Sequence, residues 1–158
     1  MRGVEFVGET ARVVWRCSAC GAEAHCRVNQ FVERMALRWD AEHWCDACAH
    51  RSCVHGGLRS AATPEGVRAA IVAANGSARL TLATPPPSRV AILRVLRGSP
   101  ELSGDVAPDL SAARRLADTL AAGRLGGTWC EMTLIALRLR ARGVEAGVER
   151  VGPVSGGR

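Results

Sequence analysis

Lysine and tyrosine are absent from this chain, and phenylalanine occurs only at Phe6 and Phe31. Without lysine there can be no Walker-type phosphate loop, and all 21 basic side chains are arginine. Together with abundant alanine and glycine, this reads as the drift of a GC-rich genome, so part of the arginine stands where other chains carry lysine. No apolar run approaches the roughly 18 residues of a membrane span. The opening Met1-Arg2-Gly3-Val4-Glu5 has no apolar stretch of the secretory kind, so no signal peptide is read and a cytoplasmic location is expected. G-x-S-x-G, the dinucleotide fingerprint and H-E-x-x-H are also missing, and no catalytic set emerges. The expectation is a protein that is not an enzyme.

What is present is enough for a folded core. The 158 residues are 47% apolar, the length of one ordinary domain or two small ones, and disorder throughout is excluded. The net charge of +6 is unevenly spread. Residues 1–63 carry 8 Arg against 7 acids; residues 64–158 carry 13 against 8. The excess lies in the C-terminal part, which points to an acidic partner.

Six of the seven cysteines, all four histidines and three of the four tryptophans fall in residues 1–58. Cys17-Ser18-Ala19-Cys20-Gly21 and Cys45-Asp46-Ala47-Cys48 are two C-x-x-C units. Two cysteines so spaced can place both sulfurs on one metal through a tight turn, and the glycine after the second relieves the backbone. Two such turns complete four thiolates, which suits tetrahedral Zn(II), and closure leaves no open position, so the metal is expected to be structural. The unit resembles zinc ribbons over about residues 12–50, except that Phe31 to Trp39 looks helical. Cys26, His25, His43, His50, Cys53 and His55 crowd the same region; they read as surface or supporting groups, with substitution for a nominal ligand or a second metal as the other readings. Cys130 reads as a small helix residue. Trp15, Trp39 and Trp44 are expected in the core of the zinc unit.

Residues 59–87 read as a bridge: Thr63 as N-cap with Pro64 at the first helical position, a helix stopped by Asn75-Gly76, a strand at 78–82, and a stiff spacer at Pro85-Pro86-Pro87. Residues 88–150 read as a module and 151–158 as a tail. In the module, Arg89 to Leu96 is rich in branched residues and reads as a strand. Leu110, Ala113, Leu116, Ala117 and Leu120 share a helical face. Thr128-Trp129-Cys130-Glu131 matches a capping box, opening a helix that ends near Gly143, and 144–148 alternates as a final strand.

Three stretches of this module, Arg89 to Gly98, Leu110 to Ala117 and Leu137 to Glu149, are similar in order and spacing to the C-terminal domain of the bacterial ribosomal stalk protein (the large-subunit seven/twelve family). The resemblance implies a small α+β fold that recruits translational GTPases through basic side chains and one aliphatic residue, here Arg89, Leu93, Arg94, Arg97 and Arg114. Arginine holds a carboxylate with two parallel hydrogen bonds, so acidic recognition survives the exchange of lysine for arginine. The family's dimerisation helices and hinge are absent. The expected architecture is α+β, a zinc-ribbon-like unit followed by a small sheet-and-helices domain. The expected function is a zinc-containing adaptor that docks a protein with an acidic surface, a translation factor or a dedicated partner as in an immunity-type inhibitor. The alternative is nucleic-acid binding through the ribbon, disfavoured by Glu23, Glu33, Asp40, Glu42 and Asp46 interleaved with the arginines.

Overall fold

The computed structural model describes residues 7–56, 62–83, 88–104 and 106–152. It is α+β, with a four-stranded antiparallel sheet followed by helices and a three-stranded sheet. The first sheet is a meander of β1 (Val7–Arg16), β2 (Glu23–Glu33), β3 (Ala36–Trp44) and β4 (Arg51–Gly56), paired in that order. The expected helix over 31–39 is absent. Val32 pairs with Leu37 across a two-residue turn, in which Arg34 and Met35 both take positive φ, 49° and 64°. That backbone suits the right-handed twist of a hairpin, and it is usually signalled by Asn or Gly, neither of which is here.

Strand alternation gives this sheet two faces. Ala11, Cys26, Val28 and Ala41 line the inner face and pack on Ile71 of α1 (Glu65–Asn75). Farther along it, Val32 and Leu37 pack on Cys130 and Leu134 of α4 (Trp129–Arg140). The start of α1 differs from expectation. Pro64, not Thr63, occupies the cap position, with no side-chain cap. Thr63 is buried instead and its Oγ1 accepts from Gln30 Nε2 at 2.6 Å.

The second sheet has the order β6-β5-β7, built from β5 (Ser77–Leu82), β6 (Gly126–Gly127) and β7 (Ala146–Val151). Thus the segment read as a bridge supplies α1 to the first sheet and the central strand to the second. The Pro85–Pro87 spacer lies outside the described residues, as does the tail beyond Gly152.

Arg89 to Leu96 is not a strand. It belongs to α2 (Arg89–Arg97), opened by Ser88, whose side chain accepts from Ala91 N, and stopped at Gly98. Ile92, Val95 and Leu96 are its buried residues, a spacing of three and four that only a helix brings to one side. The α-helices and strands after Pro87 therefore run helix, helix, short strand, helix and strand, with α3 (Leu110–Ala121) capped by Asp109. The first strand on which the stalk resemblance rested is missing. Leu80, Leu96, Leu120, Met132, Ile135 and Leu139 form the main core between these helices and the second sheet.

The capping box at α4 is present as expected. Thr128 Oγ1 accepts from Glu131 N, and Glu131 Oε2 accepts from Thr128 N at 2.9 Å. Gly143 takes φ 76° just after the helix, where only a residue without Cβ turns cheaply.

Candidate metal centre

The two C-x-x-C units sit in the β1–β2 and β3–β4 connections, which the antiparallel meander returns to the same end of the sheet. Each knuckle closes on its own backbone. Gly21 N donates to Cys17 O at 2.8 Å and Cys17 N to Ala22 O at 2.8 Å; in the second, Cys45 N donates to His50 O at 2.9 Å. The left-handed position after the second cysteine is Gly21 in one knuckle (φ 74°) and Ala49 in the other (φ 56°). Arg16 Nη1 braces the first turn by donating to Gly21 O at 3.0 Å.

These turns converge Cys17, Cys20, Cys45 and Cys48, with every sulfur within 4.8 Å of the others. Cys17 Sγ lies 3.7 Å from Cys48 Sγ, and Cys20 Sγ 3.6 Å from Cys45 Sγ. Four thiolates at about 2.3 Å from a tetrahedral metal stand about 3.8 Å apart, so the donor set and its spacing fit one such ion. Cys17 and Cys45 are buried against Ala22 and Ala24, while Cys20 and Cys48 face outward. The backbone N–H groups of Cys20 and Ala19 point at Cys17 Sγ and lower its thiol to about 6. At Cys48 the His50 N–H acts in the same direction, but the neighbouring thiol Cys20, burial, and the sulfurs of Cys17 and Cys45 outweigh it and push the thiol up to about 12. Four sulfurs so close do not all ionise alone; a divalent cation among them reverses that.

All seven cysteines are free. Cys130 is fully buried, its thiol donating to Gln30 O at 3.2 Å. Burial, then the charges of Glu9 and Glu131, raise it to about 12. The tryptophans depart from the core expectation. Trp15 is 47% exposed, its ring 4.7 Å from that of His43, and Trp44 stacks on His25 at 5.4 Å; Trp39 alone packs into the cluster under α1.

The arginines read as a partner surface lie on the helix pair. Arg89, Arg94 and Arg97 are exposed on α2, and Arg114 is exposed on α3. Arg89 Nη2 pairs with Asp118 of α3 at 2.8 Å, which ties the start of α2 to the last turn of α3. Leu93 is not the exposed aliphatic residue; it packs against the main core. Val90 on α2 and Leu110 on α3 are exposed, at 58% and 42%.

Sequence reasoning missed a buried polar cluster where α4 meets the first sheet. Gln30 is fully buried between Thr63 and Thr128, accepting from the Thr128 hydroxyl. Glu9 accepts from Cys130 N in the first turn of α4 at 3.4 Å and from Arg150 Nη1 at 3.2 Å. Glu131 accepts from Arg68 Nε at 2.8 Å. A carboxylate beside a helix N-terminus is favourable, and each buried acid here has its arginine. Only the capping box gave a local signal of this cluster; the rest comes from chain segments 33 to 141 residues apart.

Searches of protein-family models, of curated proteins and of solved structures found no match for this chain.

Proposed function

We propose that the chain is a non-catalytic, zinc-stabilised binding module. Zn(II) is held structurally by Cys17, Cys20, Cys45 and Cys48, and the α2–α3 face docks a protein partner with an acidic surface. The observation that carries the docking is charge without compensation. Among the described residues, exposed Arg94, Arg97 and Arg114 form no ion pair, whereas Arg68, Arg138 and Arg150 each pair with a buried carboxylate. Half-exposed Val90 and Leu110 among these arginines add apolar contact, the mixture that protein interfaces use. With Arg89–Arg97 helical, the partner is defined by its acidic chemistry; a translational GTPase is one such partner.

A non-catalytic role is supported by the donor set. Four thiolates close a tetrahedral metal, and the Cys130 thiol is inert where it lies, with no histidine among its hydrogen-bond partners. Two C-x-x-C units that converge as metal ligands, not as disulfides, suit a cytoplasmic setting. On the outer face of the first sheet Arg27 pairs with Glu42 and His25 with Asp46, which lowers the charge a phosphate backbone would meet there.

The test is capture from native lysate by the immobilised full chain and by its Arg94→Glu, Arg97→Glu variant. An acidic protein retained by the first and lost by the second, with zinc content unchanged, supports the reading. Capture that survives the double charge reversal contradicts it, and capture abolished by nuclease moves the function to nucleic acid.

A further inference from the structure

We propose that Cys53 and His55 on β4 form half of a second zinc site, completed by the same two residues of a second copy of this chain. Cys53 Sγ lies 3.6 Å from His55 Nδ1, on the solvent side of the sheet. A tetrahedral Zn(II), with Zn–S of about 2.3 Å and Zn–N of about 2.0–2.1 Å, holds its sulfur and nitrogen ligands about 3.6 Å apart. Two residues apart on a strand, the two side chains share a face and are already set as neighbouring ligands.

One chain offers only these two. Among the described residues the four-cysteine cluster is the one place where three or more ligand groups converge. Glu42 and Asp40 stand opposite Cys53 and His55 in the β3 register, but Glu42 is paired with Arg27 and Asp40 accepts from Asn29 Nδ2 at 2.5 Å. Among the described residues, then, the pair has half of a ligand set.

The fold provides where the other half comes from. β4 is the terminal strand of the order β1-β2-β3-β4, and every residue from Arg51 to His55 is exposed, including Val54 at 49%. It carries no proline, and its one arginine, Arg51, stands at its start, away from Cys53 to His55. A second copy laid antiparallel along this edge, with the two-fold axis through Val54, sets Val54 against Val54 on the inner face. On the outer face it sets each Cys53 opposite the other copy's His55. Cβ atoms of directly opposed residues stand about 4.5–5.5 Å apart, so two sulfurs and two imidazoles meet over the axis. Two Cys and two His form a closed tetrahedral zinc set, and the contact is self-complementary as a two-fold interface requires. The result is one eight-stranded sheet with a metal at its centre.

The experiment is a zinc titration of the reduced full chain, followed by sedimentation velocity and by metal content per chain. The expected result is a shift from the 16.7 kDa monomer to a dimer, with one zinc per two chains added to those bound at the four-cysteine sites. Cys53→Ser and His55→Ala, both at exposed positions, each return the chain to a monomer and remove only that added zinc. With Co(II) as probe, the added equivalent shows a two-sulfur, two-nitrogen spectrum. A chain that stays monomeric at saturating zinc, dimers that survive the double variant, or a second zinc bound to a monomer would each overturn the proposal. If the four-cysteine site took up no metal, zinc-dependent dimerisation would still be read on its own, so the two readings fail separately.

Discussion

The first sheet buries Ala11, Ala24, Cys26, Val28 and Ala41 where the helical half buries Leu80, Leu96, Leu120, Met132, Ile135 and Leu139. Apolar burial stabilises by about 25 cal/mol per Å², so small side chains leave β1–β4 with much the smaller share. The sheet compensates at two points: four cysteines draw both of its knuckles together at one end, and α1 and α4 cover its inner face. The helical half has a continuous aliphatic core and needs neither. Small units commonly replace missing core with a metal, and the four-cysteine cluster that could hold one lies in the sheet half alone among the described residues.

The largest effect that separates the halves is loss of the metal. Structural zinc in isolated finger units contributes roughly 10–16 kcal/mol of binding free energy at neutral pH, and that energy is folding energy. Cys45→Ser, or a strong chelator, is expected to abolish amide protection at the knuckles and in β4, while α3, α4 and β7 keep theirs. Hydrogen exchange read by mass spectrometry measures both halves in one sample. Loss of protection throughout the chain would show that the halves are one cooperative unit.

Next comes the core of the helical half. Ile135→Ala removes a fully buried side chain and is expected to cost about 2–5 kcal/mol in denaturant unfolding. Zinc content should not change, which is the converse of the cysteine variant.

A smaller effect lies at the seam between the halves. Gln30→Ala leaves the buried hydroxyls of Thr63 and Thr128 without their partner, at a cost of about 1–3 kcal/mol. Thermal unfolding should then spread into two transitions, because Gln30 links the sheet to the start of both α1 and α4.

The smallest effect is alkaline. Cys130 is raised from the ordinary thiol value of 9.0 to about 12, so its contribution to stability is complete below about pH 9 and is lost as pH rises toward 12. Cys130→Ala is expected to flatten that part of the stability profile, measured as the denaturant midpoint from pH 8 to 11.

The parts legible in the sequence were those whose signal is local. The two C-x-x-C units, the Thr128–Glu131 capping box and the Asn75-Gly76 stop each declare themselves within a few residues. Arg34-Met35 turns a hairpin without any turn-forming residue, so Phe31 to Trp39 showed no break. In Arg89 to Leu96, branched residues favour a strand, yet the Ser88 cap and the 92/95/96 spacing are the stronger signal, and they give a helix. The Glu9–Gln30–Thr128–Arg150 cluster had no local trace, because its members meet only through tertiary packing.

The central claim is that four cysteines from two distant knuckles hold one tetrahedral metal. The direct measurement is the absorption spectrum of the Cys53→Ser chain titrated with Co(II). The account predicts saturation at one equivalent, with the intense visible bands and sulfur charge transfer of a four-thiolate tetrahedral site, both lost in Cys45→Ser. A weak octahedral spectrum, or a tetrahedral one that persists without Cys45, would contradict it.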